Sequence, residues 1–231
     1  MPPSTIILCR HAQATHNVGN DYSLPDAPLT DLGKQQCSKL PEFVPLELQK
    51  KVQLVVSSPL KRTLQTSVIG WGPTIERLGG RKEVICLPQL QGDPCDTGSP
   101  REVLEADPEF NSFDLSLLTA DWTSKRGQFA ADEASLNKRA QWVRQWLRSR
   151  TEDTILVVAH GDILRRITAG PHGNSTHAWN NAEARTYDFD PAWVDKDEAF
   201  LTSEGLQVTA GGWQPTSTEF AGKSGNDDGK L

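Results

Sequence analysis

Two apolar runs, Thr5–Cys9 and Thr154–Ala159, each lead into a histidine, the first through Arg10-His11 and the second through His160-Gly161. Further strand-like runs at 52–56 and 84–87 alternate with helix-like stretches. That alternation is the pattern of an α/β fold, expected here as a three-layer α/β/α sandwich with a mainly parallel sheet and right-handed crossovers. Open sheets of this kind collect ligands at the carboxyl ends of their strands. Arg10, His11 and His160 therefore mark the expected site.

The helices read from caps and periodicity. Thr30 is placed to cap a helix that runs to near Phe43, before Pro45. Pro59 offers a first-turn proline for a helix through Lys61, Arg62, Leu64 and Val68. From about Ala131 to Arg150, the residues Leu136, Ala140, Val143, Trp146 and Leu147 form one apolar stripe, with Trp142 and Trp146 read as packing. The stretch at about 88–130 is rich in Pro, Gly, Asp and Ser and is expected as a partly helical insertion over the site. Residues 1–205 are expected as a single domain, and the Gly-, Ser- and Asp-rich 206–231 as a disordered tail.

At 231 residues the chain has room for one sizeable core. A net charge of −6 and no basic run argue against direct nucleic-acid binding. Cys9, Cys37, Cys86 and Cys95 lack metal-ligand spacing and read as buried, reduced thiols. No charged leader is recognisable, and no window approaches the roughly 20 apolar residues of a membrane span. The expectation is a cytoplasmic protein, a nuclear location being left open, with no metal or cofactor and no membrane partner.

Arg10 and Arg62 offer planar, permanently charged forks suited to phosphoryl oxygens. A neutral imidazole aimed at phosphorus can attack it and form a phosphohistidine, a role that fits His11. A protonated His160 would stabilise the equatorial oxygens during transfer. Taken together, Arg10-His11, Asn17, Leu29-Thr30-x-x-Gly33-x-x-Gln36, Ser57-Ser58-Pro59-Leu60-x-Arg62-x-x-Gln65-Thr66 and Ala159-His160-Gly161 resemble the histidine phosphatase superfamily, also called phosphoglycerate mutase-like. The resemblance covers about residues 4–190 and points to a compact, fungal-like member of branch 1. It implies His11 as nucleophile and Arg10, Arg62, His160 and Asn17 as the phosphate pocket. It also implies a metal-independent phosphohydrolase acting on a small phosphorylated metabolite.

Two departures from the family stand out. Ala12 replaces the usual glycine, which an ordinary φ would tolerate. The resemblance also implies a glutamate acid after the third strand, yet Leu87-Pro-Gln89-Leu-Gln91-Gly92-Asp93-Pro-Cys95-Asp96-Thr-Gly98 contains none. Asp93 and Asp96 are the nearest substitutes, although both also suit turns. Without that acid, substrates with good leaving groups are favoured, because general acid help is worth about 10²–10⁴ in rate. The alternatives are a phosphatase fold that binds or assembles without turnover, and a repurposed enzyme of specialised metabolism. The resemblance also implies Ser58 near the phosphate pocket, although a serine before proline equally suits a helix start; His16 reads as a solvent-facing loop histidine. His172 and His177 read as parts of a plain loop, and Trp179–Tyr187 resembles the family's closing segment, a loop that passes near the site before the last strand in an architectural role.

Overall fold

A computed structural model describes residues 2–19, 21, 23–92 and 96–209. Among them, one sheet contains β1 (Thr5–Arg10), β2 (Leu54–Ser57), β3 (Ile85–Cys86), β4 (Thr154–Ala159), β5 (Glu183–Phe189) and β6 (Leu201–Thr209). The spatial order is β3-β2-β4-β1-β5-β6. The four strands from β3 to β1 run parallel, and β5 and β6 extend the sheet antiparallel on the far side of β1. The helices are α1 (Asp31–Phe43), α2 (Leu46–Lys51), α3 (Lys61–Arg77), α4 (Arg101–Ala106), α5 (Glu133–Arg148) and α6 (Gly161–Ile167).

Because side chains alternate across a strand, each central strand feeds two cores. Ile7 and Cys9 of β1, with Leu156 and Val158 of β4, join Leu40 of α1 and Leu64 and Trp71 of α3. Ile6 and Leu8, with Ile155 and Val157, join Val143 and Leu147 of α5 and Ile163 and Leu164 of α6. The sandwich is thus three layers deep. Full burial of each such side chain stabilises the fold by about 1.5–3 kcal/mol. The register sets Arg10 beside Ala159, so the chain leaves two neighbouring central strands at the same edge.

Local chemistry sets the helix ends. Thr30 Oγ1 accepts the Gly33 N–H at 3.0 Å and starts α1, and Asp132 Oδ1 does the same for α5 through Ser135. Leu60, not Pro59, occupies the cap position of α3, so the proline lies outside the first turn. α3 kinks at Trp71, two residues before Pro73, whose missing N–H interrupts the hydrogen-bond ladder. Of the two indoles assigned to packing, Trp146 lies against the core, whereas Trp142 is 40% exposed and stacks on it.

The segment between β3 and α5 carries α4 and several turns. Its Leu104, Phe110, Phe113, Leu118, Trp122 and Phe129 belong to the same apolar cluster as Leu64 and Ile75. At the other end, β6 continues past Gly205 to Thr209, which corrects the boundary expected at 205. The strand lies at the sheet edge, where backbone pairing to β5 holds it; its Thr202–Gly205 stretch is largely polar, while Leu206 and Val208 pack against the core. Residues 210–231, the rest of the expected tail, lie outside the described residues. No helix among the described residues is long and apolar enough to cross a membrane.

Candidate active site

The His11 N–H donates to the Ala159 carbonyl at 2.9 Å, which ties the end of β1 to the end of β4. His160 follows β4 and occupies the cap position of α6. The two imidazole centroids lie 5.2 Å apart. His11 Nδ1 is 2.7 Å from the Ala12 carbonyl oxygen. A carbonyl can only accept, so Nδ1 carries the proton and Nε2 keeps its lone pair. His160 Nε2 lies 2.8 Å from Ser58 Oγ, and its Nδ1 is 3.6 Å from Asp96 Oδ1. Burial lowers the pKa of both imidazoles well below the usual value, helped at each by Arg62 and Arg10. Both are neutral at pH 7.

Arg62 is the second residue of α3 and is only 1% exposed. Its Nη2 donates to Asp96 Oδ1, while its buried Nε has no hydrogen-bond partner. Asp96 Oδ2 accepts the Gly92 N–H at 2.9 Å. Arg10 Nη1 donates to the Trp179 carbonyl. From the insertion, Lys125 Nζ reaches the Asp96 carbonyl at 2.9 Å and Gln91 Oε1 at 2.7 Å. The Gln91 amide is used up inside the protein, since its Nε2 donates to the Trp122 carbonyl at 2.8 Å. Asp93 lies outside the described residues; Asp96, the other candidate aspartate, stands beside Arg62 and His160.

Most of the remaining motif residues hold backbone. Gln36 Oε1 accepts the Gln13 N–H at 2.8 Å, Gln65 Oε1 the Leu29 N–H at 2.8 Å, and Thr66 Oγ1 the Ala12 N–H at 3.1 Å. Gly33 is required by close approach, because a Cβ there would lie 2.0 Å from the Gln13 carbonyl oxygen. Ala12 is fully buried and is not among the residues with positive φ, so its methyl group is accommodated. Asn17 Oδ1 accepts the Ala14 N–H at 3.0 Å, and its Nδ2 lies 3.1 Å from His16 Nε2. One amide hydrogen of Asn17 is thus spent on His16.

Two histidines, His16 and His177, play a different part from the one their sequence implied. His16 is buried, not solvent-facing, with its ring 5.7 Å from that of His11. Its pKa is lowered to about 3, by burial first and Arg62 second. The signal available was its place beside Asn17, in a turn that has to follow the site. Of the two readings of Ser58, the one that the resemblance implies fits its place as a hydrogen-bond partner of His160. The segment from Trp179 runs into β5 and takes hold of the site, since Asn181 Nδ2 and the Ala182 N–H both donate to the His11 carbonyl. Behind it the buried Glu183 accepts from His177 Nε2 and the Asn180 N–H, each at 2.7 Å. His177 is thereby part of this support, whereas His172 is exposed.

An α/β sandwich that gathers imidazoles and buried guanidinium groups at the carboxyl ends of parallel strands has the layout of an anion-handling enzyme. The chain belongs to the histidine phosphatase superfamily, branch 1, whose family model matches residues 6–190. It is 30% identical to phosphoglycerate mutase-like protein 1 of Arabidopsis thaliana over 199 aligned positions, covering 69% of each chain. It is 29% identical to a probable phosphatase of Schizosaccharomyces pombe, with 70% of this chain and 76% of that one covered. Among solved structures, a phosphoserine phosphatase of Entamoeba histolytica in complex with phosphoserine shares the fold at a TM-score of 0.56. That match has 21% identity and covers 87% of this chain and 95% of that one.

Proposed function

We propose that this protein is a phosphohydrolase that cleaves a small phosphorylated metabolite through a phosphohistidine on His11, without a metal or cofactor. The observation that carries the reading is the His11 Nδ1 contact to the Ala12 carbonyl, which directs an unprotonated Nε2 away from the backbone and among buried cations. Arg62 and Arg10 hold the phosphoryl oxygens, joined by the remaining amide hydrogen of Asn17. His160 is neutral at rest; a bound phosphoryl dianion raises its proton affinity, and it then stabilises the transferring group. Water hydrolyses the phosphohistidine and restores His11. Of the two candidate aspartates, Asp96 is the proton source in this reading, on its placement beside Arg62 and His160. Phosphatases among the relatives support the hydrolase class. In this reading the setting is the cytoplasm, which suits the buried free thiols Cys9, Cys37 and Cys86.

The test is a panel of aryl, alkyl and acyl phosphates with acid quench to trap phosphoenzyme. Phosphate release and a trapped adduct, both abolished in His11→Ala, are the expected result. Phosphate binding with no turnover on any ester would replace this reading with a binding or assembly role.

A further inference from the structure

Resting on the phosphatase reading above, we infer that Asp96 is an internal stand-in for the phosphoryl group. Its carboxylate holds Arg62 until substrate arrives, is displaced by the phosphoryl dianion with uptake of a proton, and then delivers that proton to the leaving oxygen.

The geometry makes the two anions competitors. Asp96 Oδ1 is bonded to Arg62 Nη2 and lies 3.6 Å from His160 Nδ1, the same two groups that are to receive phosphoryl oxygens. A guanidinium buried as deeply as Arg62 needs a counter-anion, and Asp96 supplies it. The exchange is local, because the main chain at Asp96 is held independently by Lys125 on its carbonyl. To make room the carboxylate turns, giving up among its contacts Arg62 and the Gly92 N–H.

Once the dianion pairs with Arg62, the carboxylate stands beside a second negative charge, and protonation relieves the repulsion. Among the described residues, the other charged or titratable groups facing Asp96 include Lys125 from the insertion, Arg139 from α5, His16 from the loop after β1 and His160 from the end of β4. The two imidazoles are neutral at rest and are the competing proton acceptors.

The chemistry balances. The His11 Nε2 lone pair forms the N–P bond as the ester P–O bond breaks, and the departing oxygen takes the Asp96 proton to leave as an alcohol. Asp96, now a carboxylate, accepts a proton from the water that attacks phosphorus. The P–N bond breaks and its electron pair returns to Nε2. Hydrogen phosphate leaves, and Asp96 releases its proton to solvent as it recovers Arg62.

The experiment is calorimetric titration of the full chain with inorganic phosphate near neutral pH, in buffers of different ionisation enthalpy, alongside Asp96→Asn and Asp96→Ala. Asparagine keeps an oxygen for the Gly92 N–H. The expected result is about one more proton taken up per phosphate by the wild type than by Asp96→Asn, and phosphate bound about tenfold more tightly by both variants. Asp96→Asn should also slow alkyl ester cleavage by about 10²-fold or more while affecting aryl esters less. Equal or weaker phosphate binding in both variants, with unchanged proton uptake, would overturn the inference and make Asp96 a fixed support for Arg62. If His11-dependent cleavage persists alongside that result, the phosphatase reading survives it. If no protein binds phosphate and none cleaves an ester, both fall together.

Discussion

An imidazole buried beside guanidinium groups resists charging, and His16 shows what that does to stability. Its pKa in the folded chain is lowered to about 3, against an ordinary value of 6.5 for an unfolded histidine. Between those values the unfolded chain binds more protons, so stability rises with pH through this window and is lost as pH falls from 6.5 toward 3. One such histidine contributes a slope of about 1.4 kcal/mol per pH unit. His11 and His160 act in the same sense. Urea unfolding at about pH 7 and about pH 5.5 should show this acid loss, and His16→Asn should reduce the slope by roughly one proton. Identical slopes would show that His16 is protonated in the native protein. The residues of the pocket were legible in unequal measure. Arg10, His11, Arg62 and His160 stood in recognisable strings, whereas His16 and Ser58 acquire their surroundings only when separate strand ends meet.

Elements were readable wherever their side chains divide between core and water. β1, β4 and the stripe of α5 follow directly from apolar spacing. β6 was not readable, because its few apolar residues change sides along the strand, Leu201 joining one core and Leu206 and Val208 packing against the other. The Leu29–Gln36 string reads differently once α1 is in place, since its job is to seat a helix against the loop that follows His11. Gly33→Ala tests this directly. The added Cβ would fall 2.0 Å from the Gln13 carbonyl oxygen, a backbone atom with little freedom to move. The expected cost is about 1–3 kcal/mol in thermal or urea unfolding. Displacement of the loop should also lower turnover of an aryl phosphate by about 10²-fold. A variant with wild-type stability and rate would mean that α1 and this loop are not pressed together.

Across the whole molecule, the insertion acts as a clamp on the Asp96 loop. Trp122 is buried, its carbonyl takes the Gln91 amide, and its ring fills the space where a side chain at Gly98 would be. Trp122→Ala should cost about 3–5 kcal/mol in urea unfolding. A cost near zero would show that the insertion closes the void without strain. The insertion's existence was visible in composition, but its inclusion in the main core was not, because the apolar residues from Leu104 to Phe129 follow no regular period. The sheet order carries a different consequence, for synthesis. β1 is made first, yet both of its neighbours, β4 and β5, are made late, and the Ser4–Asp153 contact beside it spans 149 residues. The Asn181–His11 contact spans 170. Contacts of such sequence separation form slowly. At about 5–20 residues per second on the ribosome, the nascent chain carries His11 unpaired for roughly ten seconds or more before the strands that enclose it exist.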